Sequence, residues 1–211
     1  MARLSTRVCV TLAGVVVSAA LAAAQGTGAT ATALKRDSEK MQKNVAAILL
    51  RAATPPPPTG KAPSPLRTSF TDRELNAWLS ADGKANVPTG LVSPSVAFTG
   101  PGKLTVHGLI DLDAVRKSRE RSMLDPMAYL TGQMEISLRG TLTGRGGQGV
   151  FDVESASLGN VAVPRLLLQE LITYYSKSPE FPDGIMLAKP FPLPARVRDL
   201  AIDRGSAVVV Q

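Results

Sequence analysis

The apolar residues of this chain recur at two spacings, and each spacing predicts a different kind of element. Between residues 34 and 52 they return every three or four positions, which is the period of a helix. The members of this stripe are Leu34, Met41, Val45, Ile48, Leu49 and Ala52. Because the stripe covers only about 100° of arc, we expect an amphipathic helix that lies on a surface or pairs with another helix.

Six later segments alternate apolar and polar residues with period two, which predicts β-strands. They pair into three hairpins across turns at residues 100–102, 144–149 and 204–205. One face of the strand in the first hairpin carries Leu104, Val106, Ile110 and Leu112. One face of the strand that opens the second hairpin carries Met134, Ile136, Leu138 and Leu142. The opposite faces are largely polar, as is typical of a sheet with one solvated side.

The stretch "SFTDRELNAWL" contains the start signals of another helix. Thr71 and Glu74 stand at the spacing of a capping box, and Asp72 falls in the first turn, where the helix dipole favours an acid. Trp78 follows on the apolar face of this helix. A catalytic role for the two carboxylates is the alternative, but capping accounts for both of them.

The helix that begins at Pro164 has the widest apolar arc in the chain. Proline is well tolerated in the first turn of a helix. The arc consists of Leu167, Leu168, Leu171, Ile172, Tyr174 and Tyr175. It covers about 160°, whereas an ordinary surface helix needs about 100°, so we expect this helix to be contacted on more than one side.

The order of elements is helix, hairpin, helix, hairpin, helix, hairpin, which favours an antiparallel sheet with helices on one face. The predicted fold class is α+β, with a curved antiparallel sheet of about six strands packed on helices. An N-terminal helix and a proline-rich linker precede it. The predicted segments are a signal peptide (1–24), an amphipathic helical segment (25–53), a stiff linker (54–65) and the α+β domain (66–211).

The N-terminus predicts export. Arg3 and Arg7 precede the uncharged apolar run from Val8 to Ala24, and Ala22 and Ala24 occupy the positions that a signal peptidase requires. The alternative is an uncleaved membrane anchor, although the run is shorter than the roughly 20 residues of a comfortable span. We therefore expect a periplasmic or secreted protein.

Composition narrows the chemistry further. The only cysteine lies within the predicted signal, so the exported chain has no disulfide, no zinc–thiolate site and no cysteine nucleophile. Cleavage also removes two arginines, which leaves the chain mildly basic. Aromatic residues make up only 4% of the sequence, and together with export this argues against a nucleic-acid partner.

Catalytic and metal sites find little support in the sequence. "GRGGQG", residues 144–149, matches the dinucleotide fingerprint, but a strand follows it where that motif requires a helix. His107 shares a predicted strand face with Asp111 and Asp113, which are about 13 and 20 Å away along an extended strand. We therefore predict no catalytic residue, no metal and no cofactor.

One further segment carries a charge pattern. Residues 114–130 are predicted to form a basic helix, and its charges are Arg116, Lys117, Arg119 and Arg121. A solvated helix face is the simpler interpretation. The functional interpretation is contact with anionic lipid headgroups, in which each basic residue near such a surface adds about 1 kcal/mol of binding free energy.

Several of these stretches together resemble a known family. "SFTDRELNAWL", "LVSPSVAFTGPGKLTVHGLIDLD" and "FDVESASLGNVAVPRLLLQELI" are similar to segments of the bacterial tubular lipid-binding (TULIP-like) proteins, including those of the YpmS type. The matching positions are Thr71, Glu74, Leu75 and Asn76, then Leu158, Gly159, Val163, Pro164, Leu167 and Leu168. The resemblance spans about residues 69–211, and it implies an elongated cavity for acyl chains without catalytic residues.

The leading hypothesis is thus a non-enzymatic exported domain that holds a lipid or another long apolar molecule between its sheet and the helix at Pro164. The predicted cavity residues are Trp78, Leu104, Val106, Ile110, Met134, Ile136, Leu138, Leu167, Leu171 and Tyr174. The alternative is an envelope scaffold with a filled core and no ligand. In that case helix 34–52 would dock on a protein partner.

Overall fold

The computed structural model describes residues 6–55, 64–87, 90–117, 132–159, 161–176 and 182–211. Side chains are described within these ranges except at residues 6–29, 86, 115–117, 171, 174 and 175. The predicted linker therefore lies largely outside the described residues. So does most of the predicted basic helix, including Arg119 and Arg121.

The chain has the predicted α+β content. The described helices are α1 (Thr6–Ala53), α2 (Asp72–Ser80), α3 (Leu112–Lys117) and α4 (Arg165–Tyr175), with a 3₁₀ turn at Lys84–Asn86. The strands are β1 (Arg67–Thr71), β2 (Leu91–Gly100), β3 (Lys103–Asp111), β4 (Gln133–Arg145) and β5 (Gln148–Leu158), followed by β6 (Val161–Ala162), β7 (Pro190–Pro192), β8 (Asp199–Asp203) and β9 (Ser206–Val210). Every strand pairing is antiparallel.

Within the described residues the sheet has nine strands, so the expectation of about six was too low. The six predicted strands correspond to β2, β3, β4, β5, β8 and β9. The three that were missed are β1, β6 and β7. Phe70 is the one apolar residue of β1, so that strand shows no alternation, and β6 and β7 are only two and three residues long. Strand β7 also begins and ends with proline, which is confined to sheet edges and bulges.

The strand order explains why the sheet has two parts, one with the β2–β3 hairpin and one with the C-terminal β8–β9 hairpin. Strands β1, β9, β8, β4, β3 and β2 follow one another, and β5 pairs with the other edge of β4. Over most of its length β4 pairs with β3, but at Gly144 it pairs with Leu200 of β8 instead. The C-terminal hairpin β8–β9 thus continues the sheet where the β2–β3 hairpin ends.

The glycine-rich match to the dinucleotide fingerprint is a hairpin turn, as its context predicted. Gly146 and Gly147 form the two-residue loop between β4 and β5, with φ of 59° and 81°. Two successive residues with positive φ are the requirement of a type I′ turn, which glycine meets without strain. The motif therefore has a structural explanation.

The best-packed part of the core lies where the two parts of the sheet meet. Its buried members are Phe98, Leu104, Ile202 and Ala207, which come from β2, β3, β8 and β9. Phe70 stacks edge-on against Phe98 with ring centroids 6.2 Å apart. Leu75 of α2 also packs here, so Phe70 and Leu75 flank the helix start at the positions of a hydrophobic staple.

Helix α1 pairs with α2, as its narrow apolar stripe predicted. Met41 is buried, and Val45, Ile48 and Ala52 are half-buried. Polar contacts cross the interface as well: the Arg73 Nε donates to Asp37 Oδ2 at 2.6 Å, and the Lys40 Nζ donates to Glu74 Oε1 at 2.5 Å. The segment is therefore integrated with the sheet domain and is longer than predicted.

The capping box at the start of α2 is confirmed. The Glu74 backbone N–H donates to Thr71 Oγ1 at 3.2 Å, and the Thr71 N–H donates to Glu74 Oε2 at 3.1 Å. Asp72 accepts from the Phe98 N–H at 3.3 Å. Both carboxylates thus have structural partners.

Among the side chains that the structure describes, no helix is both long and apolar enough to cross a membrane.

Candidate functional site

Six of the predicted cavity residues lie together on one face of the sheet. Residues that pair directly across two strands point to the same side. Along β3 and β4 the relevant pairs are Val106 with Leu138, Gly108 with Ile136, and Ile110 with Met134. We call the surface made by Leu104, Val106, Ile110, Met134, Ile136 and Leu138 the apolar sheet face.

The two ends of the apolar sheet face differ in their packing. At one end Leu104 is buried in the core, and Val106 and Leu138 pack against that cluster. At the other end Ile110, Met134 and Ile136 are only half-buried and do not belong to the core cluster. The face therefore runs from a filled end to an open end.

The dimensions of the face suit a hydrocarbon chain. Leu104 and Ile110 are six residues apart on an extended strand, which corresponds to about 20 Å at about 3.3 Å per residue. An acyl chain that fills one leaflet of a bilayer covers half of a hydrocarbon core that is about 30 Å thick. The whole face is thus as long as such a chain, and among the described residues its part at Ile110, Met134 and Ile136 lies outside the core cluster.

Neighbouring strands widen the face on both sides. On β5, Ala156 pairs with Leu138 and Leu158 pairs with Ile136. On β2, Leu91 pairs with Ile110 at the open end. The apolar surface therefore spans four strands.

A groove opens beside this widened end, between the end of α2 and the start of β2. Its volume is about 410 Å³, which lies within the usual range for small-molecule sites. The lining residues are Leu79, Ser80, Lys84, Val87, Leu91, Val92, Ser93 and Pro94. We call it the β2 groove.

The β2 groove owes its shape to an irregularity in the strand. The register of β2 against β3 shifts between Val92 and Ser95. Within that shift Ser93 adopts a φ of 49°, and Pro94 has no N–H to offer. Regular pairing is thus interrupted at Ser93 and Pro94 and resumes at Ser95, which is the pattern of a β-bulge.

The remaining predicted cavity residues lie elsewhere. Trp78 contacts α1, where its indole Nε1 donates to Gln42 Oε1 at 2.5 Å, and its ring lies against Gly83. Leu167 is 41% exposed on α4. The side chains of Leu171 and Tyr174 lie outside the described residues.

Helix α4 is tied to the β5 side of the sheet. Just before the helix, the Val163 N–H donates to Ala156 O of β5. In the segment that follows the helix, the Ala188 N–H donates to Phe151 O, also on β5. Leu168 is buried, whereas Leu166 is exposed, as its polar neighbours predicted.

The aspartates near His107 have structural partners. Asp111 caps α3, because its Oδ1 accepts from the Ala114 N–H at 2.9 Å. Asp113 Oδ2 accepts from the Gly132 N–H at 3.0 Å. Leu112, which was expected to extend the strand, is instead the buried first residue of α3. Within the described part of the chain, no group of His, Cys, Asp and Glu side chains is arranged to hold a metal ion.

The sequence did not predict the β2 groove. Leu91, Val92 and Pro94 were read as part of a regular strand, and Lys84 carried no pattern. The available signal was the proline inside an otherwise strand-like segment, which indicates an edge or a bulge.

Comparisons of the chain with family models, with curated proteins and with solved structures gave no match. The resemblance to tubular lipid-binding proteins therefore stays a prediction, and the argument for function rests on the geometry of the apolar sheet face.

Proposed function

We propose that this is an exported, non-enzymatic protein that binds a lipid or another long apolar molecule along the apolar sheet face, in lipid transfer or in maintenance of the cell envelope. The observation that carries the proposal is the half-buried state of Ile110, Met134 and Ile136 at the open end of that face. Covering such residues with a hydrocarbon chain is favourable by about 25 cal/mol for each Å² of apolar surface removed from water.

Two further features support this assignment. Helix α4 is joined to the β5 side of the sheet by the segments before and after it, which would suit the role of the opposite wall that the sequence predicts. The N-terminal sequence favours export to a compartment that faces lipid, with an N-terminal membrane anchor as the alternative. Contact of Arg116 and Lys117 with anionic headgroups would bring the protein to that surface.

The first test is to identify what the protein carries. Native mass spectrometry of the protein purified from its own cell envelope, followed by solvent extraction, is expected to reveal a bound lipid. A protein that is empty and also fails to bind a fluorescent long-chain fatty acid would exclude the proposal.

The second test locates the site. Ile136→Gln is expected to weaken binding of the fluorescent fatty acid by about tenfold, since burying an unpaired amide costs on the order of 1–3 kcal/mol. The matched control is Leu109→Gln, because Leu109 lies on the exposed opposite face of the same sheet. Equal affinities in the two variants would place the ligand elsewhere.

A second candidate function is an envelope scaffold that binds a protein partner through α1. It is favoured by the outer surface of α1, where Leu49 and Leu50 are 57% and 70% exposed. Replacing both by serine should abolish co-purification of such a partner while lipid binding persists. Point substitutions are the appropriate test, because deleting the helix would also remove its packing against α2.

A further inference from the structure

The β2 groove is lined mainly by apolar side chains, with a single charge. Lys84 is the one charged residue among its described lining residues, and Ser80 and Ser93 supply hydroxyl groups. Leu79, Val87, Leu91 and Pro94 make up most of the remaining wall. Such a lining fits a molecule that is apolar except for one polar end.

The charge of Lys84 is not used within the fold. Among the described residues, no carboxylate lies within ion-pair distance of its ammonium group. By contrast, Lys40 and Arg73 are both engaged with acids. Lys84 is therefore free, as far as the described chain extends, to pair with an anion that enters the groove.

The groove leads onto the apolar sheet face. Leu91 belongs to both, since it lines the groove and pairs with Ile110, which in turn pairs with Met134. Gly108 allows this close approach, because a Cβ at that position would lie only 2.9 Å from Leu91 Cδ1. A molecule in the groove can thus extend its apolar part along the open end of the face.

We propose that the β2 groove binds the anionic headgroup of a single-chain amphiphile through Lys84, while the acyl chain continues past Leu91 onto the apolar sheet face. This inference rests on the proposed lipid-binding function and specifies the chemical class of the ligand. A carboxylate and a phosphate headgroup both meet the requirement, because an ammonium group pairs with either as a compact point charge.

One wall of the groove has a constrained backbone. Ser93 holds a left-handed backbone conformation, which is unfavourable for a residue other than glycine, and Pro94 stiffens the same turn. A constrained wall has little conformational freedom to lose on binding, which preserves affinity.

The test compares ligands that differ only in their headgroup. Binding of a long-chain fatty acid, of the fatty alcohol of equal length and of a lysophosphatidic acid is measured by displacement of a fluorescent fatty acid from the full chain. The wild-type protein is expected to prefer the charged ligands over the alcohol by about fivefold, near the upper value for an exposed ion pair. That preference should fall as salt is added. The relative affinities of fatty acid and lysophosphatidic acid show whether a carboxylate or a phosphate is the better headgroup.

Two variants assign the preference to the groove. Lys84→Met should abolish the preference by weakening the binding of the two charged ligands, and Ser80→Glu should do the same by adding a carboxylate to the groove lining. Lys103→Met is the matched control, because Lys103 is an exposed lysine at the opposite end of β3. Tryptophan fluorescence confirms that each variant is folded.

The outcomes separate the two proposals. If Lys84→Met and Lys103→Met both keep the wild-type preference, the headgroup assignment is wrong but lipid binding stands. If the wild-type protein binds the alcohol as tightly as the acids, the assignment is also wrong. If it binds none of the three ligands, the proposed function itself fails.

Discussion

Replacing Asp37 by arginine is expected to lower the free energy of unfolding by about 2 kcal/mol, within the range for a hydrogen bond to a charged group, since the carboxylate is buried while the Arg73 side chain is largely exposed. Asp37 lies on α1 and is buried, and its Oδ2 accepts from the Arg73 Nε of α2 at 2.6 Å. The arginine would place two guanidinium groups against each other where one carboxylate now stands. Urea denaturation followed by tryptophan fluorescence and by circular dichroism measures the loss.

The single tryptophan makes this experiment specific to the helix pair. Trp78 donates to Gln42 of α1, so its emission reports whether α1 is docked. A fluorescence transition that precedes the circular dichroism transition would indicate that α1 detaches before the sheet unfolds. Coincident transitions would indicate that helix and sheet form one cooperative unit.

Two further variants separate the ion pair from general effects of charge. The double variant Asp37→Arg/Arg73→Asp should recover about half of the lost stability, since the attraction is restored in a less favourable geometry. Asp152→Arg is the surface control, because its pair with Arg165 is exposed on both sides and should contribute less than about 1 kcal/mol. Equal losses in Asp37→Arg and Asp152→Arg would show that the buried pair has no special role.

The same interface bears on export. If the signal is cleaved after Ala24, the part of α1 that contacts α2 stays in the exported chain. Asp37, Lys40, Met41 and Gln42 all lie beyond that position. In that case the docked part of α1 would remain with the folded domain after cleavage.

Contacts between nearby residues were predictable from the sequence. The capping box joins residues three apart, so Thr71 and Glu74 could be assigned from spacing alone. The strand faces were predictable for the same reason, because alternation fixes which side chains share a side. The six residues of the apolar sheet face could be assigned to the inner sides of their strands from this alternation.

Contacts between distant segments were not predictable. Trp78 was expected to line a cavity, but it contacts Gln42, which is 36 residues away on α1. Asp37 is buried on α1, and its burial is tolerable because it pairs with Arg73, 36 residues away on α2, as well as with the neighbouring Arg36. The β2 groove was missed because it depends on where α2 ends relative to β2, which no periodicity records.

Asn76 is the clearest case of a motif residue whose role only the fold reveals. It was part of the family resemblance without an assigned function. Its Nδ2 donates to Val96 O, and its Oδ1 accepts from the Val96 N–H, both at 2.7 Å. The side-chain amide thus takes the place of a neighbouring strand on the outer edge of β2.

Replacing Asn76 by alanine is expected to lower the free energy of unfolding by about 2 kcal/mol, because two partly buried backbone groups of Val96 lose their partners. The exposed edge of β2 should also pair between molecules, since unpaired edge strands associate readily. Chemical denaturation measures the first effect, and light scattering of the native protein measures the second.

Asn44→Ala is the matched control, because Asn44 makes one exposed bond, of 3.2 Å, to Ser69 O. It should cost about 0.5 kcal/mol and leave the light scattering of the native protein unchanged. Asn76→Asp keeps only the bond from the Val96 N–H and turns an oxygen towards Val96 O, so it should be no more stable than the alanine variant. An aspartate variant as stable as the wild type would show that the amide does not protect this edge.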